Sequence, residues 1–229
     1  MPYDRDQYRV DQTSDFISIF YPELKKDIEE CSVLDVGSGL GTVSLSLARR
    51  AKSIVGIEPV ERLMRKASEE ALRKGITNVR FENLSAYDLK PTHAFDVVIL
   101  SDVLEHVPDQ RMLLERCLDS LAPGGVLYLN TPNKWFPMEP HMRMLFLSYL
   151  PTELANHYAR AFGHSGYEGY HLLGYRRLLD LLDSLPVVYK FKTQPNPRRP
   201  MYRIGNRLVT NAPFMWRFAN AFQLIVQQE

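Results

Sequence analysis

The segment Val33-Leu-Asp-Val-Gly-Ser-Gly-Leu-Gly-Thr42 runs from an apolar stretch into glycines at 37, 39 and 41. Glycine takes positive φ without steric cost and lets backbone approach a ligand, and the first turn of a following helix offers free N–H groups. Two carboxylates narrow what such a turn could hold. Asp35 would repel a pyrophosphate but suits a cationic amino group, and Thr42 stands where a dinucleotide fingerprint needs a third glycine. Glu58 ends the next apolar run, 21 residues after Gly37, where an acidic side chain can accept from both hydroxyls of a ribose. A ribose with a cationic amino-acid end and no phosphates describes S-adenosylmethionine.

These residues need elements to position them. Short β-branched runs at residues 31–36, 53–57, 78–81, 95–100 and 126–130 alternate with helical patterns over 40–51, over 59–74, and from Asp109 onward. In the second pattern Val60, Leu63, Met64, Ala67, Ala71 and Leu72 recur at helical spacing; in the third the stripe is Leu113, Leu114, Cys117, Leu118 and Leu121. Repeated strand–helix units of this length imply right-handed crossovers and an open, doubly wound α/β sheet with helices on both faces. Ligands then bind beyond the carboxyl ends of the strands. After Asn130 the alternation breaks. Residues 131–172 and 194–219 read as lid or acceptor-binding insertions, separated by a helix over 174–185 and a strand over 187–193, with a last apolar run at 222–226. The last two strands are expected to lie together at one edge.

Four motifs in order carry a resemblance: the glycine turn at 33–42, Gly56-Ile-Glu-Pro59, Phe95-Asp-Val-Val-Ile-Leu-Ser-Asp-Val-Leu-Glu-His-Val107, and Leu121-Ala-Pro-Gly-Gly-Val-Leu127. Over residues 31–131 the chain resembles the class I S-adenosylmethionine-dependent methyltransferases. The resemblance implies a mostly parallel sheet of seven strands, the last antiparallel. It also implies one domain over residues 1–229 that begins with a helical segment at 1–30. By the same resemblance Asp35, Ser38 and the backbone of Gly37, Gly39 and Gly41 hold the methionine end of the cofactor. Glu58 and Pro59 meet the ribose, Ser85 and Ala86 the adenine edge, and Ser101 lies at the cofactor side of the fourth strand. S-adenosyl-L-homocysteine would be the product. Members of this group often carry an acidic residue where Ser85 stands, so Ser85 would accept the adenine amino group's bond less strongly.

Methyl transfer from a sulfonium is an in-line displacement whose leaving group needs no proton, so alignment and desolvation supply much of the acceleration. A base is needed only for a weakly acidic hydroxyl or a protonated amine. His106, just past the fourth strand, lies near where the resemblance places the reactive methyl, and an unperturbed pKa near 6.5 suits proton removal. Glu139 and His141 lie past the fifth strand, toward the same crevice, and are the other catalytic candidates. For His106, and for Glu105 beside it, the alternative is a structural role. Histidines 141, 157, 164 and 171 fall within the first insertion, but none are four apart and no cysteine is near, so no metal is expected. Trp135, Phe136, Phe146, Tyr149, Tyr158, Phe162, Tyr167 and Tyr170 could line an acceptor pocket or pack a lid.

The whole chain has 229 residues, 28 Lys+Arg against 27 Asp+Glu, a net charge of +1 and only two cysteines. No collagen-like, disordered, disulfide-framework or coiled-coil bias is present. With no apolar leader and no run of about 18 apolar residues, a soluble cytoplasmic protein with reduced thiols is expected. The neutrality is a cancellation. Residues 184–228 hold seven basic side chains and no acidic one, and this +7 within a total of +1 leaves −6 on the rest. That basic stretch, rich in aromatics, suits an anionic or partly apolar acceptor, or peripheral contact with an anionic membrane; a solvated basic edge is the plainer reading. A small-molecule acceptor methylated on oxygen is the leading expectation, with C- or N-methylation as alternatives. The rivals are a nicotinamide oxidoreductase on a similar sheet and a non-catalytic nucleic-acid or membrane-surface module. Nucleic acid is not the expected acceptor, because no Asn-Pro-Pro-Tyr-type motif is present. Nothing in the sequence assigns an oligomeric state.

Overall fold

The computed structural model describes residues 19–139, 141–192, 216 and 219–229. Its centre is a seven-stranded sheet. In chain order the strands of the first half are β1 (Ser32–Val36), β2 (Ser53–Ile57), β3 (Val79–Glu82), β4 (Phe95–Ser101) and β5 (Leu121–Pro132). A two-stranded hairpin, β6 (Met138–Glu139) with β7 (Met144–Leu145), stands apart, and β8 (Val187–Lys192) and β9 (Ala221–Gln228) complete the main sheet. The order is β3-β2-β1-β4-β5-β9-β8. The first five strands pair in parallel; β9 lies antiparallel between β5 and β8. Strand order therefore reverses between β1 and β4, which opens a crevice at their carboxyl ends.

Both faces of the sheet are covered because its central strands are apolar throughout. Val97, Val98, Ile99 and Leu100 of β4 are fully buried, as a strand covered on both faces requires. Leu34, Val98, Leu127 and Leu224 face the helices α3 (Gln110–Asp119) and α5 (Tyr175–Asp183). Val33, Ile99, Tyr128 and Ile225 face α1 (Thr42–Leu47) and the N-terminal residues Ile19, Phe20 and Ile28. In α3 the Asp109 carboxylate caps the helix by accepting from the Met112 N–H at 3.0 Å, and Leu113, Leu114, Cys117 and Leu118 form the buried stripe. Burial of each such side chain contributes about 2 kcal/mol.

Two helices depart from the sequence reading. Helix α1 is shorter than residues 40–51 because Gly41, at φ 73°, holds the left-handed conformation at the cap, so the helix starts only at Thr42. Helix α2 (Glu61–Arg73) packs against the edge strand β3 and buries only the small residues Ala67 and Ala71, leaving Leu72 83% exposed. The Pro123-Gly-Gly turn is drawn into β5 as an irregularity, with Gly124 at φ 78° and a register shift opposite Phe95–Val97. Of the expected N-terminal helical segment, residues 1–18 lie outside the described residues; Tyr21–Glu23 and Ile28–Glu30 are single 3-10 turns.

Between β5 and α5 the chain builds a small core of its own. Met144, Leu147, Ala155, Ala159 and Tyr167 pack together from the hairpin, a 3-10 turn at Leu147–Tyr149, α4 (Thr152–Ala161) and the loop that follows. Thr131 and Pro132, placed in the insertion from sequence, instead pair with Phe222 and Ala221 as the end of β5. Most of the second insertion, including Arg198, Arg199, Arg203, Arg207 and Arg217, lies outside the described residues. Lys190 and Lys192 do not form a free basic edge: both pair with Glu23, at 2.8 and 2.7 Å.

Candidate active site

The glycine turn is shaped by what surrounds it. Gly37, Gly39 and Gly41 all have positive φ, and the Gly37 and Ser38 N–H groups both donate to the Ile57 carbonyl, which ties the turn to the end of β2. A Cβ on Gly37 would lie 2.4 Å from Val103 Cγ2, and one on Gly41 would lie 2.6 Å from the Phe81 ring. Around Gly39 the space is open. Asp35 is buried beneath the turn and accepts from Ser44 Oγ at 2.5 Å. Burial pushes its carboxyl up to about 6, with Glu58 adding to the rise and the Ser44 bonds opposing it. A cationic ligand would restore the anion.

Glu58 is buried at the end of β2. Its two oxygens accept from the Gly39 and Val60 N–H groups, each at 2.9 Å, so the carboxylate braces both loops and keeps lone pairs for a ligand. Asn83 Nδ2 donates to the Glu58 and Pro59 carbonyls at 2.9 Å and ties the loop carrying Ser85 and Ala86 to the same rim. Ser85 Oγ accepts from the Tyr87 N–H at 3.3 Å, capping the Ala86–Asp88 turn. Ser38 Oγ is buried without a hydrogen-bond partner among the described residues. The cofactor-side candidates thus share one rim of the crevice, and Ser101 stands across it at the end of β4.

The catalytic candidates also meet, through a residue that the sequence reading left as structural. Past β4, Asp102 takes φ 56° and turns the chain into a 3-10 turn, Leu104–His106. Glu105 on that turn is 0% exposed, its Oε2 accepts from Thr131 Oγ1 at 3.3 Å, and its Oε1 has no hydrogen-bond partner among the described residues. His141 Nε2 lies 3.5 Å from that oxygen, close enough to pair electrostatically, while His141 Nδ1 bonds Glu139 Oε1 at 2.7 Å. Glu139 is itself buried, its second oxygen receiving the Met142 N–H at 2.7 Å. Glu105 and Glu139 together push the His141 pKa up to about 9. At neutral pH His141 is therefore an imidazolium and cannot serve as a base.

His106 behaves in the opposite way. Burial lowers its pKa, with a smaller upward pull from Glu105, and 44% of its side chain stays open to solvent. Its ring lies 5.1 Å from that of His141 and 5.2 Å from that of Tyr170, which stacks on Tyr167. The remaining aromatics divide: Tyr170 reaches both histidines and Tyr167 reaches only Tyr170, whereas Trp135, Phe146, Tyr149 and Phe162 are exposed. Glu105, His106 and His141 offer ligand atoms all within 4.8 Å of one another. Linear histidine spacing hid this set, because two members come from the β4 turn and one from the hairpin. Glu105 and Asp102 had one sequence signal, the acidic residues flanking Val103-Leu104.

A sequence model of the methyltransferase domain matches residues 5–173. Ubiquinone biosynthesis O-methyltransferase of Psychrobacter cryohalolentis is 40% identical over 105 residues, which are 44% of this chain and 41% of that protein. The chain thus spans less than half the length of that relative. Among solved structures, an S-adenosylmethionine-dependent methyltransferase from Mesorhizobium loti superposes with a TM-score of 0.64 at 14% identity, covering 96% of this chain and 100% of the other. Magnesium protoporphyrin IX methyltransferase from Synechocystis with bound SAH gives 0.61 at 16% identity, covering 98% and 84%.

Proposed function

The chain belongs to the methyltransferase domain family, and from that premise we propose that it transfers a methyl group from S-adenosylmethionine to a hydroxyl of a small-molecule acceptor. The observation that carries this reading is the rim formed by buried Asp35, the three positive-φ glycines and Glu58 braced against Gly39. Asp35 under the turn answers the cofactor's ammonium, Glu58 its ribose hydroxyls, and Ser85 its adenine edge. An anionic pyrophosphate would meet two buried carboxylates, which disfavours the nicotinamide alternative. The Mesorhizobium and Synechocystis proteins, both named as methyltransferases, support the cofactor assignment, and the Psychrobacter relative's name supports oxygen as the acceptor atom.

In this reading His106 is the general base, neutral at physiological pH and open to the crevice. Glu105, His141 and Glu139 position it and clamp the hairpin against the β4 turn. Residues 133–172 cover the acceptor. Cys31 and Cys117, free and buried, fit a reducing cytoplasmic setting, and among the described residues no helix is long and apolar enough to cross a membrane. Purified protein incubated with S-adenosylmethionine and metabolite extracts should yield a product heavier by one CH2, found by mass spectrometry and formed at least about 100-fold more slowly with His106→Gln. A product methylated on carbon or nitrogen would replace the hydroxyl assignment.

A second reading of the same cluster is a divalent cation held by Glu105, His106 and His141. It is favoured by the closeness of the three ligand atoms and by the Glu105 Oε1 that holds no hydrogen bond among the described residues; a cation there would take the place of the His141 Nε2 proton. A cation there would lower the pKa of an acceptor hydroxyl. Activity retained in excess chelator supports the base; loss restored by added metal supports the cation.

A further inference from the structure

Ser101, Asn130, Gln223 and Lys192 stand opposite one another on β4, β5, β9 and β8. Residues paired across strands share a face, so these four form a polar row at the crevice end of the sheet. Beneath the row the same face is apolar, with Ile99, Tyr128 and Ile225 packed under Ile19 and Phe20. Asn130 Nδ2 donates to Ser101 Oγ at 3.2 Å and to Asp102 Oδ1 at 3.0 Å, which fixes the orientation of the amide. Its carbonyl oxygen, and that of Gln223, are buried with no hydrogen-bond partner among the described residues. The one cation in the row does not fill the gap, because Lys192 is held by Glu23. Buried polar atoms in folded chains nearly always find partners, so two acceptors in adjacent register positions without a donor among the described residues are placed to receive one from a ligand.

We propose that Asn130 and Gln223 are specificity-determining residues, whose carbonyl oxygens receive hydrogen bonds from hydroxyl groups of the methyl acceptor. This rests on the methyl-transfer reading, because the row begins at Ser101 on the cofactor side and steps outward by about 5 Å per strand. Both oxygens can only accept. A group with no hydrogen to give, such as a methoxy, carboxylate or phosphate, leaves them unpaired, and sites built around a hydroxyl reject analogues that lack it by large factors.

The test uses the full chain saturated with S-adenosylhomocysteine and three probes that differ only in donors: catechol, 2-methoxyphenol and 1,2-dimethoxybenzene. Calorimetry should show affinity falling at least tenfold for each hydroxyl removed. In Gln223→Met that spread should shrink to under threefold, with S-adenosylhomocysteine affinity unchanged. Removing an orphaned buried carbonyl should also raise Tm, by about 2–4 °C. Equal affinities for the three probes, no catechol binding, or a lower Tm for Gln223→Met, as expected if an ordered water serves that oxygen, would overturn the proposal. Failure of S-adenosylhomocysteine to bind the native protein would instead remove the reading on which it rests.

Discussion

His106 and His141 lie side by side, yet their surroundings drive them to opposite charge states. Two buried carboxylates hold His141 protonated, while burial keeps His106 neutral. Because the folded pKa of His141 is raised, its contribution to stability is complete below about pH 6.5 and is lost as pH rises through about 9. Removing one partner of a buried ion pair costs about 3–5 kcal/mol, and the partial exposure of this ring sets His141→Ala near the low end, about 3 kcal/mol. Denaturant melts of the two proteins should differ by that amount at pH 7 and converge by pH 10; a constant gap across that range would remove the charge clamp. His106→Gln should instead lower kcat by about 10²–10⁴-fold and leave S-adenosylhomocysteine affinity and Tm nearly unchanged. The acid limb of the native pH–rate profile should fall below the ordinary histidine value, since burial lowers the His106 pKa. A kcat for His106→Gln within threefold of native would exclude it as the base.

At the scale of elements, the glycine turn makes a graded prediction. Gly37→Ala combines a left-handed backbone with a Cβ 2.4 Å from Val103, whereas Gly39→Ala meets nothing and bears the backbone penalty alone. The penalty for a non-glycine residue in that conformation is about 1–2 kcal/mol, so Gly39→Ala should lose about that much stability and Gly37→Ala more. Equal melting temperatures would mean that the β4 turn does not press on the glycine turn as described. Most of this architecture was legible in the sequence because alternating apolar runs and capped helices are local signals. Asp109 and the run 95–100 each announced the element they start or build, whereas the left-handed Gly41 moved the start of α1 past the residue 40 that the pattern suggested. The catalytic cluster was only half legible. His106, Glu139 and His141 were picked out by position, but the link between them is Glu105, whose burial depends on Thr131 from β5 and a hairpin some 30 residues away. Gln223 gave no signal at all, since its significance lies in standing opposite Asn130.

For the molecule as a whole, the description of the chain as an acidic cofactor-binding part with a basic acceptor side changes in one respect. Glu23 pairs with both Lys190 and Lys192, offsetting one of their two charges, and fastens the N-terminal segment to the outermost strand. Asp35, beneath the turn, holds a raised pKa that costs stability as pH climbs through about 6. A cationic ligand reverses this, so cofactor should stabilise the protein more at pH 8 than at pH 5. At a concentration 100-fold above Kd the gain is about 2.7 kcal/mol, readable as a rise in Tm; a shift no larger at pH 8 than at pH 5 would contradict the assigned role of Asp35. The most direct test of methyl transfer from S-adenosylmethionine is calorimetric titration of the native protein with S-adenosylmethionine and S-adenosylhomocysteine. The account predicts one site per chain for each, with affinity reduced at least tenfold by Asp35→Ala or Glu58→Ala. A folded native protein that binds neither compound would contradict it.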